Sequence, residues 1–254
     1  MPAVDSISYS REATITAISD YYEFLTQLYL PSEFILHPPQ SGWPSITQET
    51  MAGIGKTDEV INLLRHLPYI EDRHAAHGAA FCTFADWSLE GFGRTSSARI
   101  LTEGSTWEQV PPHVVGLTNG GRYNPVFLLD TQLGVIHWVD CPDRPRHRPT
   151  REQVWGDAVE GVEWQGESAT WAVADFFEQL KVEFLSLRFL PTNPVCSEVI
   201  DVDAEFGDEG RRLLPVLQDI YRSHGWPDVS QYRKKEALEE VKRVLEENDD
   251  PFDL

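Results

Sequence analysis

Apolar positions lay out the first elements. Ile15, Ile18, Tyr22, Leu25 and Tyr29 recur at spacings of three and four. That spacing puts them on one face and predicts an amphipathic helix over residues 10–30, stopped by Pro31. A second helix is predicted from Thr57, whose hydroxyl suits an N-cap and is followed by Asp58 and Glu59. Val60, Leu63, Leu64 and Leu67 form its apolar face, and Pro68 ends it. Between residues 79 and 139 the period shortens. Short β-rich runs between turn residues predict strands at 79–84, 97–101, 113–117, 126–129 and 135–139. The sharpest signal is at 125–140, where two β-rich runs flank a polar link ending at Gly134. That is a hairpin pattern.

Helical spacing returns at 171–189, where Val173, Phe176, Phe177, Leu180, Phe184 and Leu187 form one stripe. Pro191 and Pro194 break the chain after it. A helix over 213–223 follows, with Pro215 as an alternative start and Gly225 beyond its end. The last helix is predicted from a Ser230 cap, with Leu238, Val241 and Leu245 inward and Glu239 four residues before Arg243. Helices around a block of strands predict an α+β fold. Its central antiparallel sheet is flanked by helices, and a helical extension follows. Residues 10–191 form the α+β core with the hairpin; residues 192–254 form the extension, packed on the same domain.

Composition narrows the function classes. Of 254 residues, 41% are hydrophobic and eight are Trp, enough for a sizeable core. The net charge of −20 disfavours nucleic acid and anionic membranes as partners. Cys82, Cys141 and Cys196 are odd in number, without a C-x-x-C pair, which suits a reducing compartment. The N-terminus shows no basic-then-apolar leader. A soluble cytoplasmic protein is the expectation.

Candidate chemistry is sparse. Gly53-Ile54-Gly55-Lys56-Thr57 has the end of a phosphate-binding loop, but Thr50 stands where the first Gly belongs and no strand precedes it. A glycine turn entering a capped helix is the favoured reading. Asp72, His74, His77 and Asp86 are the densest group of acid–base residues. His74 as acid/base, oriented by Asp72 or Asp86, is the catalytic assignment if the protein is an enzyme. His137, Asp140, Cys141 and Asp143 cluster at the hairpin's end and read as a strand edge with its turn. Arg144, Arg146, His147, Arg148 and Arg151 form a basic island that interleaved prolines should keep extended. Arg144, Arg146 and Arg148 are the candidates for gripping an acidic partner. The competing reading is a solvated loop that pairs with the protein's own carboxylates. Asp201 to Glu209 lacks the Gly and the last Glu of a calcium loop. No metal and no cofactor are predicted.

Several segments resemble a widespread family of uncharacterised fungal proteins. They are Gly42-Trp43-Pro44-Ser45-Ile46, Gly55-Lys56-Thr57-Asp58-Glu59-Val60-Ile61, Leu64-Arg65-His66-Leu67-Pro68-Tyr69-Ile70, Asp175-Phe176-Phe177-Glu178-Gln179-Leu180-Lys181 and His224-Gly225-Trp226-Pro227. The hairpin followed by an aromatic helix is similar, more distantly, to the SUKH superfamily. That superfamily includes fungal cell-wall-synthesis regulators and bacterial immunity proteins. The resemblance implies an α+β fold that acts by binding proteins, and it transfers no catalytic residue.

Two functions follow as expectations. The favoured one is a non-catalytic protein-binding or regulatory module. The alternative is a small-molecule enzyme of fungal specialised metabolism, with a His/Asp site in a Trp-rich apolar pocket. A protein partner and a small molecule both fit; the oligomeric state is not legible.

Overall fold

The structure, a computed structural model, describes residues 6–119, 124–154, 163–193, 197–248 and 250–252. Pro194 and Cys196 fall outside them. The first helix, α1, spans Arg11–Leu28 and is capped by Ser10, whose hydroxyl accepts the Ala13 amide at 3.3 Å. Strand β1 is Ile35–Leu36. Helix α2, Asp58–Leu64, starts as expected, with the Thr57 hydroxyl accepting the Val60 amide at 3.4 Å. The glycine turn before it holds Gly55 at φ 60. Strand β2, Tyr69–Ile70, pairs antiparallel with β1.

The strand expected at 79–84 is two short strands. β3, His77–Ala79, turns back through Ala80 and Phe81 into β4, Cys82–Thr83. Phe81 has φ 52, the left-handed backbone that makes the tight reversal. The strand expected at 97–101 is a helix, α3, Ser97–Glu103. Ala98 and Thr102, four residues apart, are buried, and Arg99 pairs with Glu103 across one turn. That four-residue spacing outweighs the β-propensity of Ile100.

Four strands form the main sheet in the order β5 (Val114–Gly116), β6 (Val126–Asp130), β7 (Val135–Val139) and β8 (Ala169–Ala172), all antiparallel. β6 and β7 are the expected hairpin. Its turn forms because the Asp130 carboxylate accepts the Gln132 and Leu133 amides at 2.7 and 2.8 Å. Gly134 completes it at φ 74, where a Cβ would stand 2.8 Å from the Tyr9 amide nitrogen. Between β7 and β8 come α4, Asp143–His147, and α5, Glu163–Glu167. Arg144, Arg146 and His147 of the basic island thus lie on one helical turn rather than extended chain, while Arg148 and Arg151 follow it. Pro145 sits early enough in that turn to need no intrahelical donor.

The sheet is covered on both faces. Phe127, Leu129, Ile136, Trp138 and Trp171 face the main core. There they meet α6, Val173–Leu185, with Phe176 centred 4.9 Å from Phe127. α6 in turn packs on α1, where Tyr21 and Phe177 lie 5.1 Å apart. Leu128 and Val139 point the other way, into a smaller cluster with Val110, Val114 and Trp164. Trp171 lies on β8, so α6 begins after it, and Leu187, at φ 56, lies past its end.

β9 (Phe189–Asn193) and β10 (Glu198–Asp201) form a further antiparallel pair, and β3 joins it through His77 N–H to the Ser197 carbonyl at 3.0 Å. The extension is two helices, α7 (Asp208–Ser223) and α8 (Lys234–Glu247). α7 starts seven residues before Pro215 because Gly207, Asp208 and Glu209 supply its first turn. Ser230 does not cap α8; its hydroxyl donates to Asp228 at 2.6 Å. Arg243 pairs with Glu240 and Glu247 in place of Glu239. The Trp226 indole donates to the Phe184 carbonyl at 3.1 Å and Lys234 to the Thr26 and Leu30 carbonyls at 2.7 and 2.8 Å. The buried side chains of α7 and α8 therefore belong to the same apolar cluster as those of α1 and α6. The fold is α+β, with antiparallel sheets and a C-terminal helical extension. No described helix is long and apolar enough to cross a membrane.

Candidate functional site

The His/Asp group is built into turns. Asp72, Arg73 and His74 make one tight helical turn that Ala75 closes at φ 48. The His74 ring stacks on Phe34 with centroids 3.5 Å apart, and its Nε2 faces Glu71 at 3.2 Å. The carboxylate that orients His74 is thus Glu71, not Asp72 or Asp86. Asp72 accepts from the Asn119 amide at 3.5 Å. Asp86 is buried, and its Oδ1 accepts the Ser88 amide at 3.0 Å and hydroxyl at 2.5 Å. Among the described residues its Oδ2 meets no hydrogen-bond donor at full hydrogen-bond geometry. Burial raises the Asp86 pKa against the lowering pull of Ser88 and the Asp72 amide. Asp72 and Asp86 are therefore neighbours, while His74 faces away to Glu71. His77 is turned to Val199, whose amide lies 3.1 Å from its Nδ1; burial lowers its pKa. Among the described residues no three His, Cys, Asp or Glu are grouped to hold a metal ion.

The arginines of α4 serve the protein itself. Arg144 bonds Glu183 of α6, Asp201 at 3.0 Å and Asp203. Glu183 also accepts from Arg188 at 2.8 Å and from Gln179 at 2.9 Å. Arg146 folds back to donate to the Cys141 carbonyl at 3.1 Å. Arg148 is exposed. Arg144 is a clamp that ties α4 to α6 and β10.

The concave feature lies elsewhere. A groove of about 690 Å³ runs between α3 with its following turn and the open end of the β6–β7 hairpin. Ile100, Leu101 and Trp107 form one wall; Val126, Trp138 and Val139 form the other. Ile100 and Leu101 are 47% and 42% exposed, although water disfavours large aliphatic side chains. Among the described residues, Asp140 is the only ionisable one on the lining. It is exposed, at φ 53 where β7 ends.

A buried ionic cluster fixes the α3 wall. Lys56 Nζ lies 2.5 Å from Glu103 Oε1, and neither side chain is exposed. Arg99 donates to the other Glu103 oxygen at 2.9 Å and to the carbonyls of Trp107 and, at 2.9 Å, Val110. Burial pushes Lys56 down to about 8 although Glu103 pulls it up. Burial raises Glu103 against both cations. Lys56 therefore anchors α3 and is no phosphate ligand.

His74, Asp72, Asp86, Arg144, Arg146 and Arg148 are not on the groove lining, whereas Asp140, read from the sequence as part of a strand edge and its turn, is. The groove's signal was the adjacent pair Ile100-Leu101, which cannot both face inward in a strand, followed by Trp107. The chain matches no family model, no curated protein and no solved structure.

Proposed function

We propose that the protein is a non-catalytic binding module, and that the groove between α3 and the hairpin receives an apolar segment of a protein partner. The observation that carries this reading is the exposed pair Ile100 and Leu101 on the wall of a concave, Trp-lined surface. Covering such side chains releases ordered water and contributes about 25 cal/mol per Å² buried. Among the described residues the lining is mostly apolar, with Asp140 as its one carboxylate, which suits an apolar segment. The engagement of His74 by Glu71 and of Asp86 by Ser88 weighs against the His/Asp catalytic pairing, and that of Arg144 by three carboxylates moves the proposed binding face away from α4. The SUKH-like order of hairpin and aromatic helix supports the same binding or regulatory function. A cytoplasmic site of action goes with the buried free thiols of Cys82 and Cys141.

The groove volume favours one second reading, a small apolar ligand, since such sites span roughly 300–1,000 Å³. Selection of displayed random peptides against the wild type, counter-selected with Ile100→Ser/Leu101→Ser, separates the two. The partner reading predicts apolar peptides that lose binding in that variant and keep it in Leu185→Ser, an exposed site on α6. Peptides that bind both variants alike would overturn it. Small-molecule stabilisation confined to the wild type, with no peptide enriched, would favour the second reading.

A further inference from the structure

We infer that the partner segment carries a basic residue beside its apolar anchors, and that Asp140 receives it; this rests on the groove being the binding face. The charge around the groove points one way. Among the described residues, Asp140 is the single ionisable one on the lining, and it is exposed. Asp143, whose side chain is fully exposed, follows one residue after the Pro142 of the lining and meets only His147, at 3.7 Å.

Among the described residues, the arginines of α3 and α4 next to the groove are already committed. Arg99 is held by Glu103 and two carbonyls, and its guanidinium covers Trp107 at 5.6 Å. Arg144 is held by three carboxylates, and Arg146 by the Cys141 carbonyl. Arg148 is exposed but is not on the lining. A segment that covers Ile100 and Leu101 takes water from Asp140 as well. An uncompensated carboxylate resists that desolvation, and an opposite charge offsets it. An acidic segment would meet Asp140 and Asp143 together, in the field of a chain of net charge −20. Apolar anchors for the Ile100–Leu101 wall and a Lys or Arg for Asp140 are the complementary chemistry.

Two short fluorescein-labelled amphipathic peptides provide the probes. They share their Leu positions and carry either Lys or Glu at all others. Fluorescence anisotropy should show the Leu/Lys peptide binding at least about tenfold tighter, less so as salt rises. Asp140→Asn should weaken the Leu/Lys peptide about threefold, the worth of one exposed ion pair, and should not weaken the Leu/Glu peptide, whose repulsion it relieves. Asp219→Asn makes the same charge change on α7, outside the groove lining, and should leave both peptides unchanged. Equal binding of the two peptides, no binding of the Leu/Lys peptide, or equal effects of Asp140→Asn and Asp219→Asn would overturn the inference. If Ile100→Ser/Leu101→Ser leaves both affinities intact, the groove reading itself fails. If that variant abolishes binding while Asp140→Asn has no effect, only the basic residue is refuted.

Discussion

His137 lies inside the smaller core, with its Nδ1 2.8 Å from the Thr170 hydroxyl and its ring edge-on to Trp164 at 5.2 Å. Among the described residues its Nε2 has no hydrogen-bond partner. Burial lowers its pKa from 6.5 to about 4, against a small raising pull from Asp130. The folded state therefore favours the neutral ring. Its contribution to stability is complete above pH 6.5 and is lost as the pH falls through 4, about 3 kcal/mol in all. The difference in urea unfolding free energy between wild type and His137→Gln should narrow by that amount on acidification. A difference that stays constant with pH would refute the assignment. The Lys56–Glu103–Arg99 cluster sets a second test. Glu103 neutralises two cations, so Glu103→Leu should cost about 3–5 kcal/mol, and Lys56→Met less, since Arg99 still serves Glu103. Denaturation curves in the reverse order would contradict this. At this scale the sequence showed what local chemistry determines, such as the Thr57 cap and the Gly134 turn. It hid what distant residues determine. Lys56 resembled a phosphate ligand because its partner stands 47 positions away, and His74 was matched to aspartates because Glu71 was not weighed.

Helix α3 is the element on which the groove depends. It lies against β5 because Gly116 has no side chain: a Cβ there would stand 2.1 Å from the Thr102 carbonyl oxygen. Gly116→Ala should push α3 outward, costing about 1–3 kcal/mol and weakening groove binding. Gly207→Ala, with nothing within 4 Å of the new atom, should stay within about 0.5 kcal/mol. Equal melting temperatures for the two variants would show that this close approach does not position α3. The elements legible from the sequence were those with long, one-period patterns: α1, the β6–β7 hairpin and the stripe of α6. α3 was misread because only seven residues carry it and its two exposed apolar side chains mimic a strand. The turn at α4 was read as extended because prolines are tolerated in a first helical turn.

Across the whole molecule, the extension and the sheet share one apolar cluster. Trp226 is buried against Phe24 and Tyr232 and bonded to the Phe184 carbonyl of α6. Trp226→Ala should therefore lower stability by about 3–5 kcal/mol for the entire chain. Tryptophan fluorescence and far-ultraviolet circular dichroism should report one coincident transition; separate transitions would mark the extension as an independent unit. The acidic surface and the α+β class were legible from composition and order. The groove was not, because it is made by segments some twenty to forty positions apart, brought together by the sheet. The most direct test of its role is hydrogen–deuterium exchange of the wild type with and without the Leu/Lys peptide. Protection is predicted at residues 97–107 and 124–142, the two walls of the groove. Protection centred instead on residues 72–86, with the groove walls unchanged, would contradict the account.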